Sequence, residues 1–257
     1  MAEVAWLSIA PVKGLALVEA DEVLLTRDGV AENRRFWLVD DDGRLYAQLR
    51  DGRLAQVRAT YDSDHEQLEL RFPDGAAVGG PVSLDCAVAT DFYGRAVSGR
   101  VVEGPWAAAL STFTGRPLRL VRADRPGGGV DRGRGQVSVV SEASLAELGR
   151  QAGLDGPVDG RRFRMLVGVR GTRPHEEDEW RGSAVRLGDS VIRVLAQVAR
   201  CAITTRNPDT GERDFDTLRA IRAYRGVRDG EAIDFGVYGD VLEPGRVRVG
   251  DRVEPLV

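Results

Sequence analysis

Of the two cysteines in this 257-residue chain, Cys201 stands in chemically crowded company. It lies in Val198-Ala199-Arg200-Cys201-Ala202-Ile203-Thr204-Thr205-Arg206-Asn207-Pro208-Asp209-Thr210-Gly211, where apolar and β-branched residues give way to a turn. Pro208, Asp209 and Gly211 each favour a tight turn for a separate backbone reason. Upstream, Ser190 to Leu195 reads as a strand and Gly188-Asp189 as the turn from Ala184 to Leu187, so a hairpin delivers the cysteine to the end of a rigid element. A thiol so placed could act as a reactive thiolate, because Arg200 and Arg206 would favour the charged form if they face it. The alternative is a small buried hydrophobe, a common state for a free cysteine.

Four further positions suggest an anion. Lys13 projects from the loop Pro11-Val12-Lys13-Gly14. In Arg34-Arg35-Phe36-Trp37-Leu38-Val39, strand alternation puts Arg35, Trp37 and Val39 on one face and Arg34, Phe36 and Leu38 on the other, so one arginine sits beside an apolar face. Its head either reaches water along an aliphatic stem or meets a ligand. Arg162 to Val169 alternates as a strand with Arg164 in its middle, where a buried guanidinium requires a carboxylate, an exposed edge or a ligand anion. Ser141 caps a helix that starts at Glu142, and a helix N-terminus attracts anions.

The elements that must carry these residues are mostly strands. Runs at 4–9, 20–26, 55–61, 67–72, 97–103, 117–121 and 137–140 alternate between Gly, Asp and Pro punctuation, and describe a meander that closes as a barrel or sandwich. Helices are expected at 106–113, from 142, and after a cap at Asp216; strands at 235–238 and 247–253 close the chain. Cys86 has no flanking base and reads as structural. His175-Glu176-Glu177-Asp178-Glu179-Trp180 resembles a metal cluster only superficially, since its acids are consecutive, and it reads as an acidic surface loop. The Gly- and Arg-rich stretch 124–135 is a linker or a mobile loop, and it lacks the phosphate-loop pattern.

Composition narrows the function classes. Thirty-six basic and 40 acidic residues, well mixed, give a net charge of −4, which argues against nucleic-acid or membrane partners. Two isolated cysteines argue for a reducing compartment, and no targeting or spanning segment is visible, so a cytoplasmic location is expected.

The ordered set Arg200-Cys201-x-x-Thr204-Thr205-x-x-Pro208-Asp209-Thr210-Gly211, Phe235-Gly236-Val237-Tyr238 and Pro244-Gly245-Arg246-Val247-Arg248-Val249-Gly250-Asp251 closely resembles the MOSC domain of molybdenum cofactor sulfurases. The first half, with Pro11 to Gly14 and Arg34 to Asp40, resembles the β-barrel domain that precedes MOSC in amidoxime-reducing components and bacterial relatives. The resemblance implies a mainly β, α+β chain of two β-barrel-like domains, 1–122 and 123–257. It makes Cys201 the ligand to molybdenum in a molybdopterin cofactor, or a persulfide carrier. It places the cofactor's phosphate and pterin near Lys13, Arg35, Ser141 and Arg164, with Arg200, Thr204 and Thr205 around the cysteine. Molybdenum-ion and pyridoxal phosphate binding fall within it too. Two departures from the family pattern stand out: Gly14 replaces a serine, and Met165-Leu166 replaces Pro-Asn, which removes an amide able to hold the pterin.

Three functions follow from the resemblance: an oxidoreductase that reduces N-hydroxylated or related N–O and S–O small molecules, a sulfurtransferase, or a non-catalytic cofactor carrier. The first needs a separate electron-donor reductase, since the chain has neither a Rossmann fingerprint nor an iron–sulfur cysteine cluster, and the second a sulfur donor.

Overall fold

Short alternating runs with Gly-rich turns leave little sequence long enough for helices, and the fold follows suit. The computed structural model describes residues 1–125 and 133–256; residues 126–132 of the expected linker lie outside the described residues. In the first half, β1 (Glu3–Ile9), β2 (Val18–Ala20), β3 (Glu22–Leu25), β4 (Phe36–Val39) and β5 (Leu45–Tyr46) precede β6 (Arg58–Asp62), β7 (Gln67–Arg71), β8 (Ala77–Pro81), β9 (Ser83–Asp91) and β10 (Ala96–Glu103). Helix α1 (Pro105–Thr114) and β11 (Arg119–Ala123) follow. The second half holds β12 (Val137–Ser141), α2 (Glu142–Gln151), β13 (Val167–Arg170), α3 (Glu176–Glu179), β14 (Ala184–Leu187), β15 (Ser190–Ala199), α4 (Thr217–Arg225), β16 (Asp234–Glu243), β17 (Gly245–Arg248) and β18 (Val253–Leu256).

The α+β class is as expected, but the described residues form open sheets rather than closed barrels. The largest has eight strands in the order β18-β14-β15-β16-β12-β13-β1-β2, beside sheets of five, three and two strands. Its one parallel pair is β12 with β13, joined across α2, the crossover that parallel strands require. Strands β1 and β2 complete this sheet from the other end of the chain, and β3 pairs with β17. Strands β1, β2 and β3 therefore pack with the second half, across the boundary expected at 122, while Val12 and Leu15 between them join the first-half core.

Alternation sorts the side chains into separate cores. Val139 faces a cluster with Val4, Leu7, Leu25, Ile192 and Val237, while its neighbour Val140 faces Leu145, Leu148, Phe163, Ile221 and Phe235 beneath α2 and α4. Strand β4 is buried on both faces: Phe36 and Leu38 join one core of the first half, Trp37 and Val39 another. Burial of that set, at ~25 cal/mol per Å² of apolar area, stabilises β4 enough to anchor the loop before it.

Three expectations are corrected. The strand expected at 20–26 is broken at Asp21 into β2 and β3. The stretch 162–166 is not a strand: Asp159 caps a 3-10 turn, Gly160–Phe163, and Arg164 ends it in the left-handed region at φ 53°. The acidic loop is a one-turn helix, and Glu177 is fully buried in it.

Candidate functional site

Strand β15 pairs with β16 through three register shifts, the last between Gln197 and Ala199. Such bulges re-aim the chain at a strand end, and here the next residues are Arg200 and Cys201. Cys201 is exposed, which overturns the reading as a buried hydrophobe, and it opens the 3-10 turn Ala202–Thr205. Thr204 clamps that turn: its hydroxyl donates to Cys201 O at 3.1 Å and meets the Thr217 hydroxyl at 2.5 Å. Thr205 donates to Ala202 O at 2.8 Å. The two threonines therefore hold the backbone under the thiol.

The Arg200 head reaches backbone carbonyls of two other elements. Its Nε donates to Phe235 O at 2.7 Å and Nη1 to Phe163 O at 2.9 Å, with the guanidinium 5.2 Å from the Phe163 ring centre. That ties β16 and the 160–163 turn to the cysteine. Arg206 likewise donates to Gly211 O at 2.7 Å and Leu49 O at 3.3 Å.

Cys201 lines a cavity of about 360 Å³ between the two halves. Lys13, Arg34, Arg164 and Arg200 line it with Gln48, Tyr93, Ser138, Phe163, Met165 and Thr204, and among the described residues no Asp or Glu does. Cations facing a cavity without a carboxylate favour an anionic occupant. Arg34 Nη2 donates to Arg164 O at 2.9 Å, Arg164 Nη2 donates to Leu15 O at 2.7 Å, and Lys13 Nζ lies 5.8 Å from the Phe92 ring centre.

Three of the lining residues, Arg34, Tyr93 and Arg164, hold φ between 51° and 57°. A side chain there costs ~1 kcal/mol each, and such strain concentrates at functional sites. Gly14 also has φ 87°, with Ala47 Cβ 3.0 Å from where its own Cβ would stand. The departure to glycine is thus what this backbone requires.

The expected residues divide. Cys201, Lys13, Arg164, Arg200 and Thr204 come together around the cavity, and Thr205 supports the turn beneath it. Arg35 points elsewhere, donating to Arg125 O at 2.6 Å, and its neighbour Arg34 takes the cavity position. The strand starts only at Phe36, so alternation does not extend to these arginines. Ser141 lies outside the cavity: its hydroxyl meets Thr172 at 2.6 Å and accepts from Ala143 N, while its own N–H donates to Glu177 at 3.2 Å. Gln48 and Tyr93 are lining residues for which the sequence offered only weak signals, a polar residue among apolar ones and a turn tyrosine before glycine. Cys86 is exposed on β9, away from the cavity.

The Asn207–Gly211 turn docks the halves. Gly211 has φ 76°, and a Cβ on it would stand 1.8 Å from Gly52 O; Gln56 Nε2 donates to Thr210 O at 2.9 Å. Glycine is needed for that approach. No helix among the described residues is long and apolar enough to cross a membrane.

Known proteins share this layout in sequence. The family model described as MOSC domain matches residues 117–254, and that described as MOSC N-terminal beta barrel domain matches 1–117. Mitochondrial amidoxime-reducing component 1 of Mus musculus is 29% identical over 97% of this chain and 81% of its own length; the Homo sapiens protein of that name is 28% identical over 97% and 82%. Molybdenum cofactor sulfurase of Drosophila grimshawi is 31% identical over 90% of this chain but 31% of its own length. The expectations of pyridoxal phosphate binding and of sulfur transfer gain no support from these relationships. The chain belongs to the MOSC domain family and carries the MOSC N-terminal domain ahead of it.

Proposed function

We propose that this chain is a molybdenum-cofactor-dependent oxidoreductase that reduces N-hydroxylated or related N–O and S–O compounds. One observation carries the reading: an exposed thiol on a strand end opens into a cavity whose charged lining, among the described residues, is cationic. That donor set fits the cofactor, with a soft thiolate for the metal and Lys13, Arg34 and Arg164 for its phosphate. Arg34 replaces Arg35 in this assignment, and Ser141 is left out of it. Bound there, the cofactor would supply two-electron oxygen-atom chemistry, with electrons from a separate reductase.

The chain's own residues position and select. Thr204 and Arg200 hold the Cys201 backbone, so the thiol reaches the cavity without loop reordering. Gln48, 5% exposed, offers an amide in the wall where Met165-Leu166 offer none. Phe163 and Met165 exclude water from the inner side. The same exposed thiol favours a second reading, a Cys201 persulfide carrier.

Elemental analysis for molybdenum with pterin fluorescence, on the native chain and Cys201→Ser from a cofactor-competent host, tests both. Near-stoichiometric metal in the native chain, lost in the variant, and amidoxime reduction with an added electron donor are expected. Absence of metal and pterin from both proteins would end the oxidoreductase reading; cyanide-releasable sulfur on Cys201 would then establish the carrier.

A further inference from the structure

Beside the Cys201 cavity lies a second, of about 430 Å³, which shares Gln48, Arg164 and Ile203 with it. Arg58, Arg161, Arg162 and Arg206 complete its basic lining, against the single carboxylate of Asp209. Two of these arginines are matched internally. Arg161 grips Asp159 and Asp209 at 2.7–2.8 Å, and Arg162 grips Asp214 with two bonds of 2.7 Å.

Arg206 and Arg58 are not. Both Nη groups of Arg206 go to neutral carbonyls, and its buried Nε meets no acceptor. Arg58 is exposed at the start of β6 and, among the described residues, has no ion pair; its charge is felt at Asp209, where the Arg161 hydrogen bond is the larger cause of a lowered carboxyl pKa. The Arg206 Nε is buried away from the cavity, so its charge acts from the wall, while an exposed guanidinium such as that of Arg58, with no ion pair among the described residues, selects a planar oxyanion.

We infer that this second cavity is an oxyanion subsite, which holds a carboxylate or phosphate carried by the substrate while the reducible N–O or S–O group of the same molecule reaches the Cys201 cavity. The inference rests on the oxidoreductase reading and adds a substrate class to it: small anionic N–O or S–O compounds. Arg58 is the recognising group, and Arg206 adds its charge from the wall. Arg164 and Gln48, common to both cavities, lie between the two ends of such a ligand.

The test compares benzamidoxime with its 4-carboxylate on the full chain and on Arg58→Gln, a change at an exposed side chain. The native chain is expected to prefer the carboxylate in kcat/KM, and the variant to lose roughly tenfold of that preference through KM, the usual worth of one charge-assisted contact. Equal handling of the two compounds by the native chain, or an undiminished preference in the variant, overturns the inference. So does a loss of molybdenum and pterin in Arg58→Gln, which would assign the cavity to the cofactor's phosphate. If neither compound is reduced, the oxidoreductase reading fails by itself. Calorimetric titration with the same pair then decides the subsite: a carboxylate preference lost in the variant upholds it, and no preference overturns it.

Discussion

Two places in this chain invite an anion, and they resolve it in opposite ways. At the N-terminus of α2 the protein supplies the anion itself: Ser141 N donates to Glu177 Oε1 at 3.2 Å, and the Ser144 hydroxyl lies 2.7 and 2.9 Å from the two carboxylate oxygens. At the Cys201 cavity four cations face an opening that no Asp or Glu lines among the described residues. The first is structure that completes itself; the second is the cavity proposed to take a ligand. A sequence shows both as polar residues beside helices and strands, and only the position of Glu177 tells them apart.

The sharpest break between the two regions is expected at the metal. Cys201→Ser should abolish molybdenum retention in the cofactor-loaded protein, while Cys86→Ser, equally exposed but on β9, should leave the molybdenum content of the native chain intact. Equal loss in both would mean that exposure alone, not the cationic cavity, governs the thiol.

Next in size is the closed region. Glu177→Ala strands the Ser144 hydroxyl and the Ser141 N–H away from water, and should lower unfolding free energy by about 2–3 kcal/mol in denaturant melts, after the relief of a desolvated charge is offset. Lys13→Gln, in the open region, should stay within about 0.5 kcal/mol of the native chain. A reversed order would show that the cavity cations, not the buried carboxylate, hold the fold.

Gly211→Ala tests the contact that docks the two halves. Its Cβ would fall 1.8 Å from Gly52 O, so the docking turn must move, at a cost of about 2 kcal/mol. Gly115→Ala is the control, since Gly115 has a similar φ of 70° but open space, and should cost only about 1 kcal/mol. Matching losses in the two would attribute the effect to backbone strain alone.

How much of this was legible depended on whether a signal was local. Ser141 before Glu142, Asp216 before Thr217 and Gly188-Asp189 between two strands are cap and turn chemistry written within four residues, and each element forms where they place it. Arg164 was legible as a residue in need of a partner but not as a turn residue, because the Asp159 cap that starts the 3-10 turn competes with an alternation continuing into Val167. The choice of Arg34 over Arg35 depends on a left-handed backbone at Arg34, for which the sequence holds no local signal. Gly52 and Gly211 lie far apart in the chain, and only the folded contact explains why both are glycine.

The smallest effect concerns pH and belongs to the closed region. His175 is half-buried against Phe235 and Tyr224, its Nε2 3.2 Å from the Tyr224 hydroxyl. Burial first, and then the Arg225 charge, push its pKa down to about 4 from the ordinary 6.5, with Glu147 opposing them weakly. Ser144 Oγ accepts from its backbone N–H, and Asp178 is the ion-pair partner of Arg225, so the carboxylate nearest that arginine is already engaged. The folded state therefore binds this proton less tightly than the unfolded state. Stability from the neutral imidazole is fully present above about 6.5 and is lost as pH falls toward about 4. Allowing for solvent around a half-buried ring, the loss should be on the order of 1 kcal/mol. His175→Gln should remove that increment from the difference between melts at pH 7 and pH 4, and an identical pH dependence in the variant would show that the imidazole is not the group responsible. Glu177 runs the other way: burial raises its carboxyl, so its charged form weighs on the fold as pH rises. The two slopes oppose each other within one buried cluster.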